Sequence, residues 1–201
     1  MSSKTDICNL ALSHLGQAKE ISDIDTEQSQ EASACRRFIN DALDATLVDH
    51  DWSFATSFET LGLVSENPTS EWAYSYRYPS ECLKLRRILS GQRQDTDDSR
   101  IPFIIAQDAV GRLIYTDQGS AVIEKTISIS DPDYFTPQFT LALSFRLAAY
   151  ISPRITGGDP FKMKQEMLGQ YAIELQAAKA NDLTEVQLDK RAKSEFETGR
   201  R

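Results

Sequence analysis

Cysteine is scarce: Cys8, Cys35 and Cys82 are three thiols among 201 residues. They are odd in number, widely spaced and form no CxxC pair, which argues against a disulfide framework and against zinc-ligand spacing. Only two histidines are present, His14 and His50. A nucleophilic relay therefore reduces to one cluster, His50, Asp51 and Ser53. Neighbours in sequence rarely hold triad geometry, and no GxSxG elbow occurs. The plainer reading places His50 near a helix C-terminus, where a cation is favoured. Neither GxxxxGK[ST] nor GxGxxG is found, so nucleotide-phosphate cradles are absent. Long apolar runs are missing too, and a membrane span needs roughly 20 residues. The apolar positions Ile7, Leu10, Ala11 and Leu15 fall at helical spacing rather than in a continuous signal-like stretch. The expectation is a protein made and used without export.

Basic residues are in deficit, with 22 Lys plus Arg against 30 Asp plus Glu and a formal net charge of −8. An acidic surface repels phosphate and argues against a nucleic-acid reader whose affinity comes from Lys and Arg. The Asp95-Thr-Asp97-Asp98 cluster fails as an EF-hand: counting from Asp95, the positions that need glycine and glutamate hold Arg100 and Ala106. So many acids always offer some carboxylate pair, so glycan hydrolysis stays open as an alternative without a positive signal.

What is present is an ordinary globular composition, 40% hydrophobic and 26% charged, of a length suited to one domain or a small two-part chain. The chain reads as helices, then strands, then helices. Helix one runs from a cap at Ser3, with Asp6 in the reciprocal position, to a stop at Gly16. A polar link precedes helix two, whose stripe is Ala32, Cys35, Phe38, Ile39, Ala42, Leu43 and Leu47, ending near His50-Asp51. From about Trp52 the period shortens to 2. Trp72, Tyr74, Tyr76 and Tyr78 fall on one face of an extended segment, and the alternation at Leu83 and Leu85 slips at Arg86-Arg87 as a bulge would make it. Residues 90–100 contain no apolar side chain and form an exposed loop. Strands follow at 103–106, 112–116 and 121–129, the last two joined as a hairpin through Asp117-Gln-Gly119-Ser. Thr136-Pro137 and Asp159-Pro160 open helices three and four. Pro153 and Gly157-Gly158 break helix three, and helix four reaches about Asn181.

The fold class expected is α+β: a four-helix bundle with an antiparallel β-rich part inserted between helices two and three, and an extended C-terminal arm. The divisions are 1–51 for helices one and two, 52–130 for the β-rich part, 131–183 for helices three and four, and 184–201 for the polar arm. The aromatic stripe offers stacking for single-stranded nucleic acid, but such platforms sit in basic grooves. Packing inside the protein or against a second subunit is the preferred role of Trp72, Tyr74, Tyr76 and Tyr78. Trp52 and Phe54 are candidates for core packing and for the hinge between helices and sheet. Arg36-Arg37 and Lys84-Leu-Arg86-Arg87 read as salt-bridging surface residues that also suit subunit contacts.

One ordered series of segments carries more than any single motif. Ile7-Cys-Asn-Leu-Ala-Leu-Ser-His-Leu-Gly16 is followed by a helix ending in His50-Asp-Trp-Ser-Phe-Ala55. Trp72-Ala-Tyr-Ser-Tyr-Arg-Tyr-Pro79 and Cys82-Leu-Lys-Leu-Arg-Arg-Ile88 then follow. In order and spacing, from about Thr5 to Asn181, this resembles the tail tubular protein A family, the head-to-tail adaptors of short-tailed bacteriophages. The resemblance implies a structural virion protein at the head–tail junction, made in the host cytoplasm, with no catalysis and no cofactor. Its implied partners are other copies in a ring, typically twelve, the portal protein, the tail nozzle protein, and DNA passing through the channel without sequence-specific binding; no membrane is involved. It further implies a C-terminal arm along the portal, with Phe196, Arg200 and Arg201 as contacts. The alternatives are another head-completion or stopper connector, or a virion-associated glycan hydrolase.

Overall fold

Each helix is bounded by residues that satisfy its loose ends. Ser3 and Asp6 cap α1 (Lys4–His14) reciprocally: Ser3 Oγ accepts from the Asp6 N–H at 3.1 Å, and Asp6 Oδ2 from the Ser3 N–H at 2.8 Å. The chain leaves through Gly16 at φ +72°, a conformation that glycine adopts without strain. Ser29 caps α2 (Gln30–Val48), and Thr136 caps α3 (Pro137–Ile155) with proline in its first turn. The Asp159 carboxylate accepts from the Phe161 and Lys162 N–H groups where α4 (Pro160–Glu185) begins. The structure, a computed structural model, describes residues 3–92 and 95–185. Among the described residues no helix is long and apolar enough to cross a membrane.

The described residues are mixed α+β, with four α-helices and two antiparallel sheets. All four helices contribute to one core, and α3 packs on each of the other three. It can do so because it is buried on most sides and carries small residues, Ala142, Ser144, Ala148 and Ala149, that let neighbours approach. Pro153 does not end α3, contrary to the sequence expectation; the helix continues to Ile155. Proline removes the N–H that the Ala149 carbonyl would receive, and the Ser152 hydroxyl supplies a replacement at 3.1 Å. The link between α1 and α2 is polar but anchored: Asn9 brackets the backbone of buried Ile21, donating to its carbonyl at 2.9 Å and accepting from its N–H at 2.8 Å.

A short 3₁₀ turn at Ser53–Ala55 leads into seven strands: β1 (Thr56–Thr60), β2 (Leu63–Glu66), β3 (Tyr74–Arg77), β4 (Cys82–Ile88), β5 (Phe103–Gln107), β6 (Arg112–Thr116) and β7 (Val122–Ile127). One sheet has the order β1-β7-β4 and the other β2-β3-β6-β5. The slip expected in β4 is present as register shifts between Cys82 and Lys84 and between Leu85 and Arg87. The hairpin expected between β6 and β7 is not formed, because the two strands belong to different sheets. Residues 117–121 cross between the sheets, and Ser120, not Gly119, takes the positive φ, at 51°. Tyr76 holds this crossing: its hydroxyl donates to the Gln118 carbonyl at 2.9 Å and accepts from the Ala121 N–H at 3.4 Å. The hairpin lies instead between β5 and β6, where Asp108 Oδ1 accepts from the Val110 and Gly111 N–H groups.

Between the sheets is a second core of Leu61, Tyr76, Tyr78, Cys82, Leu85, Ile88, Ile114, Ala121 and Ile123. Tyr74 and Tyr76 share a face of β3, and Tyr78 joins the same core beyond the strand end. Trp72 lies before β3 and is half-buried, so the expected four-residue stripe is a pair on the strand with a tyrosine beyond it.

Candidate functional site

The chain's conspicuous chemistry gathers where α2 runs into β1. Trp52 is fully buried, its indole N–H donating to the Thr46 carbonyl at 2.9 Å. Its ring meets His50 and Phe139 edge-on, each at 4.9 Å between centroids, and Phe54 meets Phe139 edge-on and Phe135 at a tilt. Both predicted junction residues thus belong to the helical core and also form the turn from which the β part departs.

Asp182 reaches this turn from the last part of α4 and is 2% exposed. Its carboxylate accepts from the Ser53 N–H at 3.0 Å and the Ser53 hydroxyl at 2.7 Å, and contacts His50 Nε2 at 3.2 Å. This brings a serine, a histidine and an aspartate together, but not as a nucleophilic relay. Serine gives its proton to the carboxylate directly, and the imidazole addresses the other oxygen of the same group, so histidine does not stand as base to the serine. Asp51, the acid expected in this cluster, points elsewhere and pairs with Lys84 at 2.8 Å. The constellation is a clamp that fastens α4 to the α2–β1 junction.

A second clamp lies beside it. Asp49 Oδ2 accepts from Arg146 of α3 and from the Tyr171 hydroxyl of α4, each at 2.5 Å. Burial, together with the Asp49 acceptor, pushes the Tyr171 hydroxyl above the ordinary tyrosine range. A third comes from the sheets. Arg86 is not the surface residue its sequence context implies: its side chain is 5% exposed. Its guanidinium donates to the Trp52 carbonyl at 2.8 Å, to Thr56 at 2.6 Å and to Thr126 at 2.9 Å. Neighbouring Arg87 pairs with Glu124 at 2.6 Å and Asp95 at 2.9 Å, which accounts for one acid of the calcium-like cluster.

These buried charges were partly readable. Asp182 occupies the next place in the buried stripe Met167, Tyr171, Leu175 and Ala178, and Arg146 is the lone charge within the apolar run 139–151. A charge on an apolar stripe signals a buried partner. Arg86 gave no such sign.

The remaining thiols and imidazole are enclosed. Cys8 and Cys35 are fully buried, and contact with Cys35 together with burial holds the Cys8 thiol protonated. His14 stacks on Phe145 at 3.8 Å and meets the Ser144 hydroxyl at 3.0 Å, and burial lowers its pKa. Among the described residues no cluster of three or more His, Cys, Asp or Glu is arranged to hold a metal ion. No protein-family model matches the chain, and no curated protein matches it.

One cleft, at the start of α3, is lined mainly by apolar residues, among them Leu10, Phe135 and Leu141, and another by paired charges. The one beside Arg86 has a volume of about 540 Å³ and is walled by Asp51, Arg87, Asp95 and Glu124. Large apolar side chains instead stand in the open. Phe58, Leu63, Val64, Ile104, Ile105 and Val110 are exposed on the β part, and Phe161, Ile173 and Leu183 on α4. Phe196, Arg200 and Arg201, the expected portal contacts, lie outside the described residues.

Proposed function

We propose that the chain is a head-to-tail adaptor of a short-tailed phage, a structural protein that works by assembling into a ring and docking on a portal. Three things support this: the ordered segments that resemble tail tubular protein A, the exposed apolar side chains on both parts of the chain, and serine, histidine and aspartate joined in a clamp rather than a relay. The ordered segments carry the reading furthest, and the exposed apolar residues of edge strands β2 and β5 offer it a contact surface. In this reading the four helices act as a bundle with the β part inserted between α2 and α3. The ring contacts the portal on one side and the nozzle on the other, and the acidic balance keeps DNA moving through the channel rather than adhering.

Light scattering on the purified protein, alone and mixed with the portal ring, tests this. A stable assembly near about 270 kDa, twelve copies of a 22.6 kDa chain, or a monomer that loads onto the portal in twelve copies, is expected. A monomer indifferent to the portal overturns the proposal. The C-terminal arm is tested separately by deleting the residues after Glu185. A cut after Asn181 would remove the Asp182 clamp and confuse folding with docking. Weakened portal binding with unchanged folding is expected; full binding by the shortened chain overturns a docking role for Phe196, Arg200 and Arg201.

A further inference from the structure

The edge strands differ in how they are protected: β1 pairs regularly with β7, carries Glu59 bonded to Lys125 and exposes Phe58. In the sheet β1-β7-β4, edge strand β4 is interrupted by two register shifts and carries Lys84, Arg86 and Arg87, devices that keep a strand from pairing with another chain. In the sheet β2-β3-β6-β5 the outer strand β5 lacks such protection altogether, and β2 has less of it than β4. β5 reads Phe-Ile-Ile-Ala-Gln, without charge and without a register shift, and Ile104 and Ile105 are 44% and 49% exposed. β2 carries one charge and a single irregularity at Val64, with Leu63 53% and Val64 44% exposed.

We infer that β5 of one copy pairs antiparallel with β2 of the next, so that the four-stranded sheet continues from subunit to subunit. This rests on the ring reading above and names the surface that builds the ring. Strand direction agrees with it. The sheet has an even number of strands, all antiparallel, so β2 and β5 run oppositely and a neighbour's β2 beside β5 continues the alternation. Register agrees as well. Pairing across the sheet places Ile105, Ile114, Tyr76 and Leu63 in one row, and Ile104, Tyr115, Ser75 and Ser65 in the next. An unshifted junction sets Leu63 of the neighbour beside Ile105, apolar against apolar. Charge is complementary at one end, where Arg100 precedes β5 and Glu66, with Glu71 beyond it, closes β2. The contact joins two different edges, so it leaves none open when the array closes, whereas a twofold β5–β5 contact would leave both β2 edges bare.

Full-length Ile104→Lys and Val64→Lys variants test this, since each places a charge on one edge only. Each alone is expected to be monomeric by light scattering with an unchanged circular dichroism spectrum, and their mixture to form a one-to-one dimer through the two intact edges. The Ser65→Cys/Ile104→Cys double variant, oxidised with glutathione disulfide with and without the portal ring, is expected to give a covalent ladder that neither single variant gives. The native thiols are buried and stay out of this reaction. Dimers from Ile104→Cys alone, or assembly by Val64→Lys alone, mean a β5–β5 contact and overturn the inference. A chain that forms the ring without cross-links overturns the edge pairing and leaves the adaptor reading standing. A chain monomeric under all conditions overturns both.

Discussion

The helical core gathers roughly three times as many buried side chains as the core between the sheets. α3 is buried on most sides, the other helices each bury one face, and charges at their junctions close into clamps, as at Asp182 and Asp49. The sheets enclose a small aromatic and aliphatic centre and leave three strands, β1, β2 and β5, with exposed apolar residues. Most of the buried core thus lies in the helices, while exposed apolar residues stand on three strands and along α4. Arg86 is one of the ties between the two, reaching from β4 to the Trp52 carbonyl, beside the Ser128–Asp44 hydrogen bond and the packing of Leu83 on the helical core.

The sharpest way to break this contrast is Trp52→Ala, which empties the largest fully buried side chain and frees the Thr46 carbonyl. A loss of about 4 kcal/mol is expected in urea unfolding. Trp72, the only other tryptophan, then reports on the β part alone. If Arg86 couples the regions, Trp72 fluorescence and far-ultraviolet circular dichroism lose stability together. Separate transitions would show that the β part stands independently.

Asp182→Ala comes next. It leaves the Ser53 N–H and hydroxyl and His50 without their acceptor in a buried place, at a cost of about 3 kcal/mol. Asp182→Asn keeps an acceptor oxygen and loses less, about 1 kcal/mol. Losses well below these values in both variants would mean that the carboxylate does not act as the clamp. In the β part, Tyr76→Phe removes the hydroxyl that pins the crossing between sheets, and about 1 kcal/mol is expected. A larger loss than Asp182→Ala would invert the contrast.

The helical region was the more legible in the sequence for a physical reason. Caps at Ser3, Thr136 and Asp159 and stripes of apolar residues are local signals, and they placed the helix starts closely. Helix ends were less so, because Pro153 is tolerated where Ser152 compensates and α4 runs on to Glu185. Strands 103–106 and 112–116 were read almost as they stand, but which strands pair is a long-range property. A glycine-containing turn between two strands looks like a hairpin whether they share a sheet or not. The crossing at 117–121 depends on the Tyr76 hydroxyl, which sits far away in sequence. The short exposed strands β1 and β2 carried too little alternation to be separated from a loop.

The smallest effect concerns acid, and it again separates the regions. Burial lowers the pKa of His14, so the unfolded chain, with a histidine pKa of about 6.5, binds this proton first. Stability contributed by neutral His14 is present above that value and is lost as the pH falls toward the folded pKa. In the β part, the Asp108 carboxylate is held far below the usual range by Arg77 and by the Gly111 N–H, so protonation there matters only in much stronger acid. Between pH 7 and pH 5, the protection of amides against exchange, corrected for the intrinsic rate at each pH, should therefore fall in α1 and the facing part of α3 while it holds in β5 and β6. In His14→Gln that acid response should shrink. An unchanged slope in the variant would mean that the proton is taken up elsewhere, and that the stacking of His14 on Phe145 survives its charging.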